Sequence, residues 1–266
     1  MNDNMKKDVI AGLGEIGQPI LKLISKYENA VGYDLNQKLM NKNKFKKFQE
    51  AQTRFLHIAI PVNKKFNFNV IKLYKKFMPE CIVIHSTISP GTTEQLQKKL
   101  SIPIIFSATR GVHKRMLKDL QRYTKFFAIS NSAPKKQWAI SQYSKTMKKC
   151  GIKTERMSKP ETLELAKILC DTSYLGWLIN YAQLTNTIAI QHNVDYDEMW
   201  KFSDEIHEIL GNRPKMFPGF IGGHCVIPNL ALIQNQTLNL IKTINQKYSK
   251  KVKNSKTIHY KNKKNN

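Results

Sequence analysis

Short apolar runs alternate with segments of helical periodicity through the first half of the chain. Each run is brief and rich in β-branched or aromatic residues, so strands are predicted at 9–11, 30–33, 55–61, 81–87, 102–107 and 125–130. Between the runs, apolar residues recur every three or four positions, which predicts helices after Gly17, at 68–78, within 88–100 and at 133–150. This alternation predicts an α/β fold with a doubly wound, mostly parallel sheet.

The second half of the chain follows a helical pattern throughout. One long helix is predicted over 160–193, because Pro160 suits a first turn and no strong break follows it. A second helix is predicted over 194–209 with Asp195 as its cap, and a last helix over 229–248, after a loop rich in glycine and proline. The predicted organisation is an α/β domain at 1–157, an all-helical domain at 158–248 and a basic, disordered tail at 249–266.

The turn between the first strand and the first helix reads GLGEIG. In this pattern Gly12 permits the tight turn, Gly14 lets the backbone approach a pyrophosphate, and Gly17 lets helix and strand pack closely. Asp34 ends the second strand, where a carboxylate binds the ribose hydroxyls of NAD and repels the 2′-phosphate of NADP. A glycine-rich turn without a ligand is the alternative, but the strand, the helix and the acid favour a Rossmann-type NAD-binding domain.

Further cofactor-binding residues are expected at strand ends, because ligands of doubly wound sheets sit at the carboxyl edge. Ordinary turn chemistry is the alternative interpretation of Pro61 and its counterparts at the other strand ends. The complete predicted cofactor site comprises Gly12, Gly14, Glu15, Ile16, Gly17, Asp34, Pro61, Ser86 and Thr87.

The net charge of +25 raises the question of a nucleic-acid partner. Nine lysines and no acid lie in 241–266, and the remaining excess is spread without zinc-finger spacing or an RNA-binding aromatic motif. We therefore expect no nucleic-acid partner. The four scattered cysteines predict neither a metal site nor disulfides, and no apolar run is long enough to span a membrane. The first residues lack the apolar stretch of a secretion signal, so the predicted location is the cytoplasm.

Two segments of the second half carry candidate chemistry. Glu164, Lys167 and Asp171 are spaced to lie along one face of the predicted long helix, either as a solvated charged stripe or as part of a site. Cys225 stands in GFIGGHCVIPN, residues 219–229, where glycines let the backbone pass close to a ligand. A cysteine that only packs in a core needs no glycines beside it, so we interpret Cys225 as a residue that meets a substrate.

Three segments carry a resemblance to a known family: STISPGTT at 86–93, ETLELAKILCDTSY at 161–174 and PGFIGGHCVIP at 218–228. Through them, residues 1–235 resemble the UDP-glucose/GDP-mannose 6-dehydrogenases. The resemblance implies a four-electron oxidation of a sugar's primary alcohol to a carboxylate, with two molecules of NAD used in turn. In that scheme Cys225 is the nucleophile that passes through a thiohemiacetal and a thioester, and Lys167 supports the charge of the developing oxyanion.

The resemblance also implies a set of site residues. The implied catalytic residues are Cys225, Lys167, Asp171, Asn229 and Thr87, and the implied substrate-binding residues are Arg110, Lys167, Gly222, Gly223 and His224. The family has an asparagine where this chain has Asp171 and an aspartate where it has Asn229, so these two groups are expected to have exchanged roles. SATRGVHKRM at 107–116 follows the family's substrate loop only loosely, and Arg110 is taken from it. The chain stops about where the family's third, nucleotide-binding domain begins, so we expect either a partner subunit to supply those contacts or a different substrate.

Two other functions fit the same residues. A β-hydroxyacid dehydrogenase would share the fold, would use Lys167 in a single hydride transfer and would not need Cys225. A catalytically silent NAD-binding or nucleic-acid-associated protein would keep the fold alone, and the lysine-rich tail favours that alternative. Separately, the aromatic and aliphatic surface of SYLGWLINYAQL, residues 173–184, predicts that the long helix packs against a second copy in a homodimer, with a self-contained core as the alternative.

Overall fold

The computed structural model describes residues 5–223 and 225–254. The chain divides into two compact units, one that ends at Lys167 and one that begins at Ile168. The predicted boundary between 157 and 158 differs from this division, because the helix that follows Lys159 belongs to the first unit.

The first unit is built on one seven-stranded sheet. Its strands are β1 (Lys6–Ala11), β2 (Ala30–Tyr33), β3 (Gln52–Ile58), β4 (Cys81–Ile84), β5 (Ile104–Phe106), β6 (Lys125–Ile129) and β7 (Thr154–Arg156). They lie in the order β2-β1-β3-β4-β5-β6-β7, and every neighbouring pair is parallel except β5 and β6. The predicted doubly wound, mostly parallel sheet is confirmed. Strand β7 was not predicted, because it is short and polar and no apolar run marks it in the sequence.

Helices cover both faces of this sheet. They are α1 (Gly17–Ile24), α2 (Lys42–Lys47), α3 (Phe66–Phe77), α4 (Thr92–Gln97), α5 (Met116–Arg122), α6 (Lys136–Lys149) and α7 (Pro160–Ala166). Alternate residues of a strand therefore enter two different cores: Ile10 packs in one, whereas Val9 and Ala11 pack in the other. Burial on both faces explains why the central strands read as continuous apolar runs.

Helix α7 is tied to the first unit by a buried carboxylate. The Glu164 side chain accepts hydrogen bonds from the N–H of Gly91 at 2.6 Å, the N–H of Thr93 at 3.0 Å and the Thr93 hydroxyl at 2.6 Å. Gly91 precedes α4, so one carboxylate satisfies N–H groups at the start of that helix, where a negative charge is favoured. These contacts, together with Leu163 in the core, explain why α7 folds with the sheet.

The second unit is helical in the residues that the structure describes. A π-helical segment, Lys167–Ser173, continues directly into α8 (Tyr174–Gln191), which is followed by α9 (Tyr196–Leu210), α10 (Ile227–Leu230) and α11 (Gln236–Asn254). The long helix predicted over 160–193 is therefore continuous, but its middle is wound more loosely than an α-helix. Asp195 caps α9 as predicted, since its Oδ1 accepts a hydrogen bond of 2.7 Å from the N–H of Glu198.

The last predicted helix, 229–248, is two helices in the structure. α10 ends at Leu230, and α11 begins only at Gln236. The Asn235 side chain accepts a hydrogen bond of 3.1 Å from the N–H of Leu238, an N-terminal cap inside the predicted helix. α11 continues to Asn254, so residues 249–254 of the predicted tail are helical, and residues 255–266 lie outside the described part of the chain. No helix among the described residues is long and apolar enough to cross a membrane.

Candidate active site

The glycine loop between β1 and α1 has the geometry that close backbone packing requires. Gly12 has φ +90°, and a Cβ added there would overlap the carbonyl group of Ala59. A Cβ at Gly17 would overlap the carbonyl oxygen of Gly12, so the first turn of α1 packs directly against the loop. Gly14 is different, because a Cβ there would meet no atom within 4 Å. The loop therefore needs two glycines for its own fold, whereas the third exposes backbone to open space.

Asp34 lies at the end of β2 and is bonded to this loop. Its Oδ2 accepts a hydrogen bond of 2.7 Å from the N–H of Leu13, and its Oδ1 accepts one of 2.8 Å from the N–H of Asn36. A cavity of about 540 Å³ opens beside the carboxylate and is lined by Tyr33, Asp34, Leu35, Gln37, Met40, Lys42, Phe45, Lys46, Gln49 and Lys76. A carboxylate between a glycine loop and such a cavity is placed to bind the ribose of a dinucleotide.

The other predicted cofactor residues differ in their exposure and in the groups that they contact. Ser86 is buried and donates a hydrogen bond of 2.7 Å to the carbonyl oxygen of Ile60, which fixes the segment after β3 to the segment after β4. Pro61 is exposed and Thr87 is half-buried. Ile16 precedes α1 and packs against the core, while Glu15 is half-exposed and lies 2.8 Å from His113 Nδ1 through its Oε2. Except for Glu15, none of these side chains is charged.

Arg110 follows β5 and lies on the surface. Its Nη2 donates a hydrogen bond of 2.7 Å to the carbonyl oxygen of Thr124, and its guanidinium lies 5.1 Å from the ring centre of Phe126. Stacking on an aromatic face and one hydrogen bond orient the guanidinium of this exposed residue. Arg110 is therefore held in one direction, as a residue that binds an anion needs to be.

Lys125, the first residue of β6, is buried beside the segment that carries Arg110. The pattern of apolar residues in the sequence did not predict this burial. Its Nζ donates to the carbonyl oxygens of Ser107 and Ala108 at 3.1 and 3.4 Å and to the Thr109 hydroxyl at 3.2 Å. Burial, with smaller contributions from the positive charges of Lys167 and Arg110, lowers the pKa of Lys125 to about 7. A strand that begins with lysine suggests a solvated end, so only its apolar neighbours in KFFAIS hinted at burial.

Two buried histidines, His85 and His57, extend these polar contacts from Ser107 across the sheet. His85 Nδ1 lies 3.2 Å from the carbonyl oxygen of Ser107, and His85 Nε2 lies 2.9 Å from His57 Nδ1. A carbonyl only accepts, so His85 Nδ1 carries hydrogen, and burial lowers the pKa of both rings, that of His57 to about 3. Both rings are therefore neutral, and His57 donates to His85. The buried Nε2 of His57 has no partner among the described residues.

The predicted charged stripe of the long helix does not share one environment. Glu164 is fully buried in the first unit, Lys167 is half-buried, and Asp171 is exposed. Glu164 lies in α7, which folds with the sheet, whereas Asp171 lies in the π-helical segment, where bonds from i to i+5 turn each residue through a smaller angle than an α-helix does. The interpretation of Glu164 as part of a stripe is therefore wrong, since its carboxylate anchors α4 instead.

The cysteine loop of the second unit presents an accessible thiol. Cys225 is exposed, as are Gly222 and Gly223, and Gly223 adopts φ +70°, which a residue with a side chain rarely tolerates. Asn229 donates a hydrogen bond of 2.6 Å from Nδ2 to the carbonyl oxygen of Cys225. His224, which the resemblance assigns to substrate binding, lies outside the described residues.

Two buried amides hold the start of this loop, and neither was predicted. Asn245 on α11 accepts a hydrogen bond of 2.8 Å from the N–H of Ile221 and donates one of 3.0 Å to the carbonyl oxygen of the same residue. Gln183 on α8 donates to the carbonyl oxygen of Gly219 at 2.7 Å and to Asn245 Oδ1 at 3.0 Å. The only sequence signal was an asparagine four positions after the core residue Ile241, on the apolar face of α11.

The predicted catalytic residues are divided between the units. Lys167 closes the first unit, and Asp171, Cys225 and Asn229 belong to the second. Within the second unit, Asn229 and Cys225 are in direct contact. Their assembly with Lys167 and Arg110 in a single pocket stays a prediction.

The fold and the glycine loop define a Rossmann-type α/β protein with an appended helical unit, and solved dehydrogenases share this architecture. UDP-D-ManNAc dehydrogenase from Pyrococcus horikoshii matches with a TM-score of 0.74 and 17% identity, over 94% of this chain and 70% of that one. UDP-N-acetyl-mannosamine dehydrogenase from S. aureus matches with a TM-score of 0.65 and 18% identity, over 92% and 69%. The 3-hydroxyisobutyrate dehydrogenase from Mycobacterium tuberculosis matches with 0.65 and 13%, over 94% of both chains. No protein-family profile and no curated protein sequence matches the chain. At these identities the likeness establishes the fold.

Proposed function

We propose that this protein is an NAD-dependent oxidoreductase that acts on an alcohol group. The observation that carries the proposal is the glycine loop, where Gly12 and Gly17 are needed by the fold while Gly14 exposes backbone beside the Asp34 carboxylate. When bound, NAD would accept the hydride of the oxidised carbon. Its pyrophosphate would lie on the loop, and Asp34 would bind the adenosine ribose, which favours NAD over NADP. The structural likeness to dehydrogenases supports the same class.

The proposed substrate is a sugar or nucleotide sugar whose primary alcohol becomes a carboxylate. The resemblance of the cysteine loop and the likeness to UDP-sugar dehydrogenases support this choice. After the first oxidation, the Cys225 thiolate attacks the aldehyde carbon and forms a thiohemiacetal. Loss of the hydroxyl proton and of a second hydride, which a second NAD would accept, leaves a thioester, which water cleaves to the carboxylate and the free thiol. The exposed thiol beside glycines suits this chemistry, because a substrate carbon can reach the sulfur.

The remaining residues receive roles in charge stabilisation and water activation. Lys167 stabilises the oxyanion of the tetrahedral intermediates, and Arg110 binds an anionic part of the substrate. Asp171 activates the water that cleaves the thioester, while the second N–H of Asn229 donates to the oxyanion. The Asn229 amide supports this assignment, because its contact with the Cys225 carbonyl places it beside the nucleophile. Unimpaired acid formation by Asp171→Asn would rule out the assigned role of Asp171.

Production of NADH tests the proposal. The purified protein, supplied with NAD and a panel of UDP- and GDP-sugars, should reduce NAD with one of them and form two NADH for each carboxylate. Cys225→Ser should abolish acid formation, because no thioester forms. Cys170→Ser is the matched control, since Cys170 is also an exposed cysteine without an assigned role. Equal acid formation by wild type and Cys225→Ser would refute the covalent step.

A β-hydroxyacid dehydrogenase is the second candidate, and one observation favours it. That observation is the likeness to 3-hydroxyisobutyrate dehydrogenase, a solved structure that matches with a TM-score of 0.65. In this alternative Lys167 serves a single hydride transfer and Cys225 is dispensable. One NADH per product with a small hydroxy acid, lost in Lys167→Met and kept in Cys225→Ser, would establish it.

We further propose that the protein is a homodimer. Apolar side chains of α8 face solvent in the single chain: Tyr174, Leu175, Tyr181, Leu184, Ile188 and Ile190 are each 40% or more exposed. A second copy would bury these side chains, and large exposed apolar patches mark protein–protein interaction sites. Light scattering should give twice the chain mass, and Leu184→Lys should shift the protein towards monomer.

A further inference from the structure

Lys125 is the only lysine of the described sheet that is both fully enclosed and placed at the carboxyl edge, where the proposed ligands bind. Because β6 is antiparallel to β5, its first residue stands beside the end of β5. The ammonium meets three neutral oxygen atoms that belong to three consecutive residues, Ser107, Ala108 and Thr109. An ammonium has three N–H groups, so these contacts use all of them on one short segment.

The same start of β6 contacts the segment 107–110 on its other side. The carbonyl oxygen of Thr124 accepts from Arg110 Nη2 at 2.7 Å, and the ring of Phe126 lies 5.1 Å from that guanidinium. The carbonyl oxygen of Phe126 also accepts a hydrogen bond of 3.0 Å from the Ser107 hydroxyl. Lys125 therefore contacts the backbone of Ser107 and Ala108 and the hydroxyl of Thr109, while its two neighbours in sequence contact Arg110.

The hydrogen bonds of Lys125 can form whether its amine is protonated or neutral. Two of its partners are carbonyls, which only accept, and the third is a hydroxyl, which donates or accepts. A neutral amine therefore donates to Ser107 and Ala108 and accepts from the Thr109 hydroxyl. The charged and titratable groups that face it are Arg110, Lys167, His57 and His85, and none of them is an acid. The pKa of about 7 places both forms in the neutral range.

We infer that Lys125 is a positioning residue of the proposed substrate site, which holds the backbone of Ser107 and Ala108 and the hydroxyl of Thr109, and thereby directs the guanidinium of Arg110. This inference rests on the proposed function for the role of Arg110, but the restraint on the loop does not. Lys125 is not a catalytic residue, because all its hydrogen-bonding groups face the protein. Its contribution is to keep a surface loop in one conformation, so that the anion of a substrate meets an arginine already in place.

Hydrogen exchange in the free protein tests the restraint without a substrate. Lys125→Met removes all three hydrogen bonds at similar length, and exchange across 107–112 should rise by about tenfold or more. Lys125→Arg restores donors and should bring the exchange of this segment back towards wild type. Lys7→Met is the matched control: Lys7 is also buried, and its Nζ donates to the carbonyl oxygens of Phe48 and Gln49 at 2.6 and 2.9 Å. That change should leave 107–112 unaltered.

Kinetics then test whether the restraint acts through Arg110. With a substrate found by the NADH assay, Lys125→Met should raise KM by about tenfold and change kcat little. In an Arg110→Ala background the same change should have no further effect on KM, because the group it directs is gone. Unchanged exchange across 107–112 in a folded Lys125→Met protein would overturn the inference, as would full additivity with Arg110→Ala. If no substrate is oxidised, the proposed function fails, and the exchange experiment still decides the restraint.

Discussion

The buried ammonium of Lys125 predicts an unusual dependence of stability on pH. Its pKa falls from 10.5 in the unfolded chain to about 7 in the folded protein, mainly because burial removes the solvation of the charge. Between these two values the unfolded chain binds the extra proton, so the free energy of unfolding should rise as the pH rises. Below about pH 7 both states are protonated, and the whole cost of burying the charge is present.

The magnitude follows from the width of this interval. One pH unit corresponds to about 1.4 kcal/mol for one proton, so raising the pH from about 7.5 to about 9 should add roughly 2 kcal/mol through Lys125 alone. Lys125→Met lacks this contribution, and subtraction of its curve removes the other titrating groups. Urea unfolding of both proteins across this pH range provides the measurement. Parallel curves would show that the buried amine does not titrate there, and the argument from burial would fail.

Three further predictions concern contacts that build the site. Glu164→Ala should lower the free energy of unfolding by about 3 kcal/mol, because three donors lose a buried acceptor, whereas the exposed Glu161→Ala should change it by about 0.5 kcal/mol or less in thermal or urea unfolding. Asn245→Ala should raise hydrogen exchange at 219–223 by about tenfold, because both backbone bonds of the loop to α11 are lost. Asp34→Asn should lower the affinity for NAD about tenfold and raise the affinity for NADP. Fluorescence titration of the reduced cofactors would measure both.

Each of these predictions has a result that contradicts it. Equal losses from Glu164→Ala and Glu161→Ala would mean that the buried carboxylate does not anchor α7. Unchanged exchange at 219–223 in Asn245→Ala would remove the basis for calling this amide the support of the cysteine loop. An unaltered ratio of NAD to NADP affinity in Asp34→Asn would place the adenosine ribose elsewhere.

Local sequence patterns predicted those parts of the fold that depend on contacts between residues close together in the sequence. The glycine loop is such a case, because its spacing, the strand before it and the helix after it lie within a few residues of one another. The cap at Asp195 is another, since the acceptor and the N–H that it binds are three residues apart. Apolar runs likewise revealed six of the seven strands, because burial on both faces of the sheet leaves no polar alternation.

The features that local sequence patterns did not predict depend on contacts between residues far apart in the sequence. Glu164 resembled a solvated helix residue, and only its contact with Gly91, 73 positions away, explains why it is buried. Lys125 is enclosed because β6 runs antiparallel to β5, and no local pattern fixes that direction. The break before α11 was missed because Asn235, its cap, stands in a run whose apolar spacing continues on both sides. The sequence before Ser173 contains no residue that announces a π-helix.

Isothermal titration of NAD into wild type and into Gly14→Val shows whether the glycine loop binds the cofactor. A Cβ at Gly14 has no atom within 4 Å in the free protein, so the variant should keep the fold and the melting temperature of wild type. In the proposed complex the same side chain occupies the space of the pyrophosphate. Wild type should bind NAD saturably, and Gly14→Val should lose this binding. Equal binding by both proteins, or none by a folded wild type, would contradict this prediction.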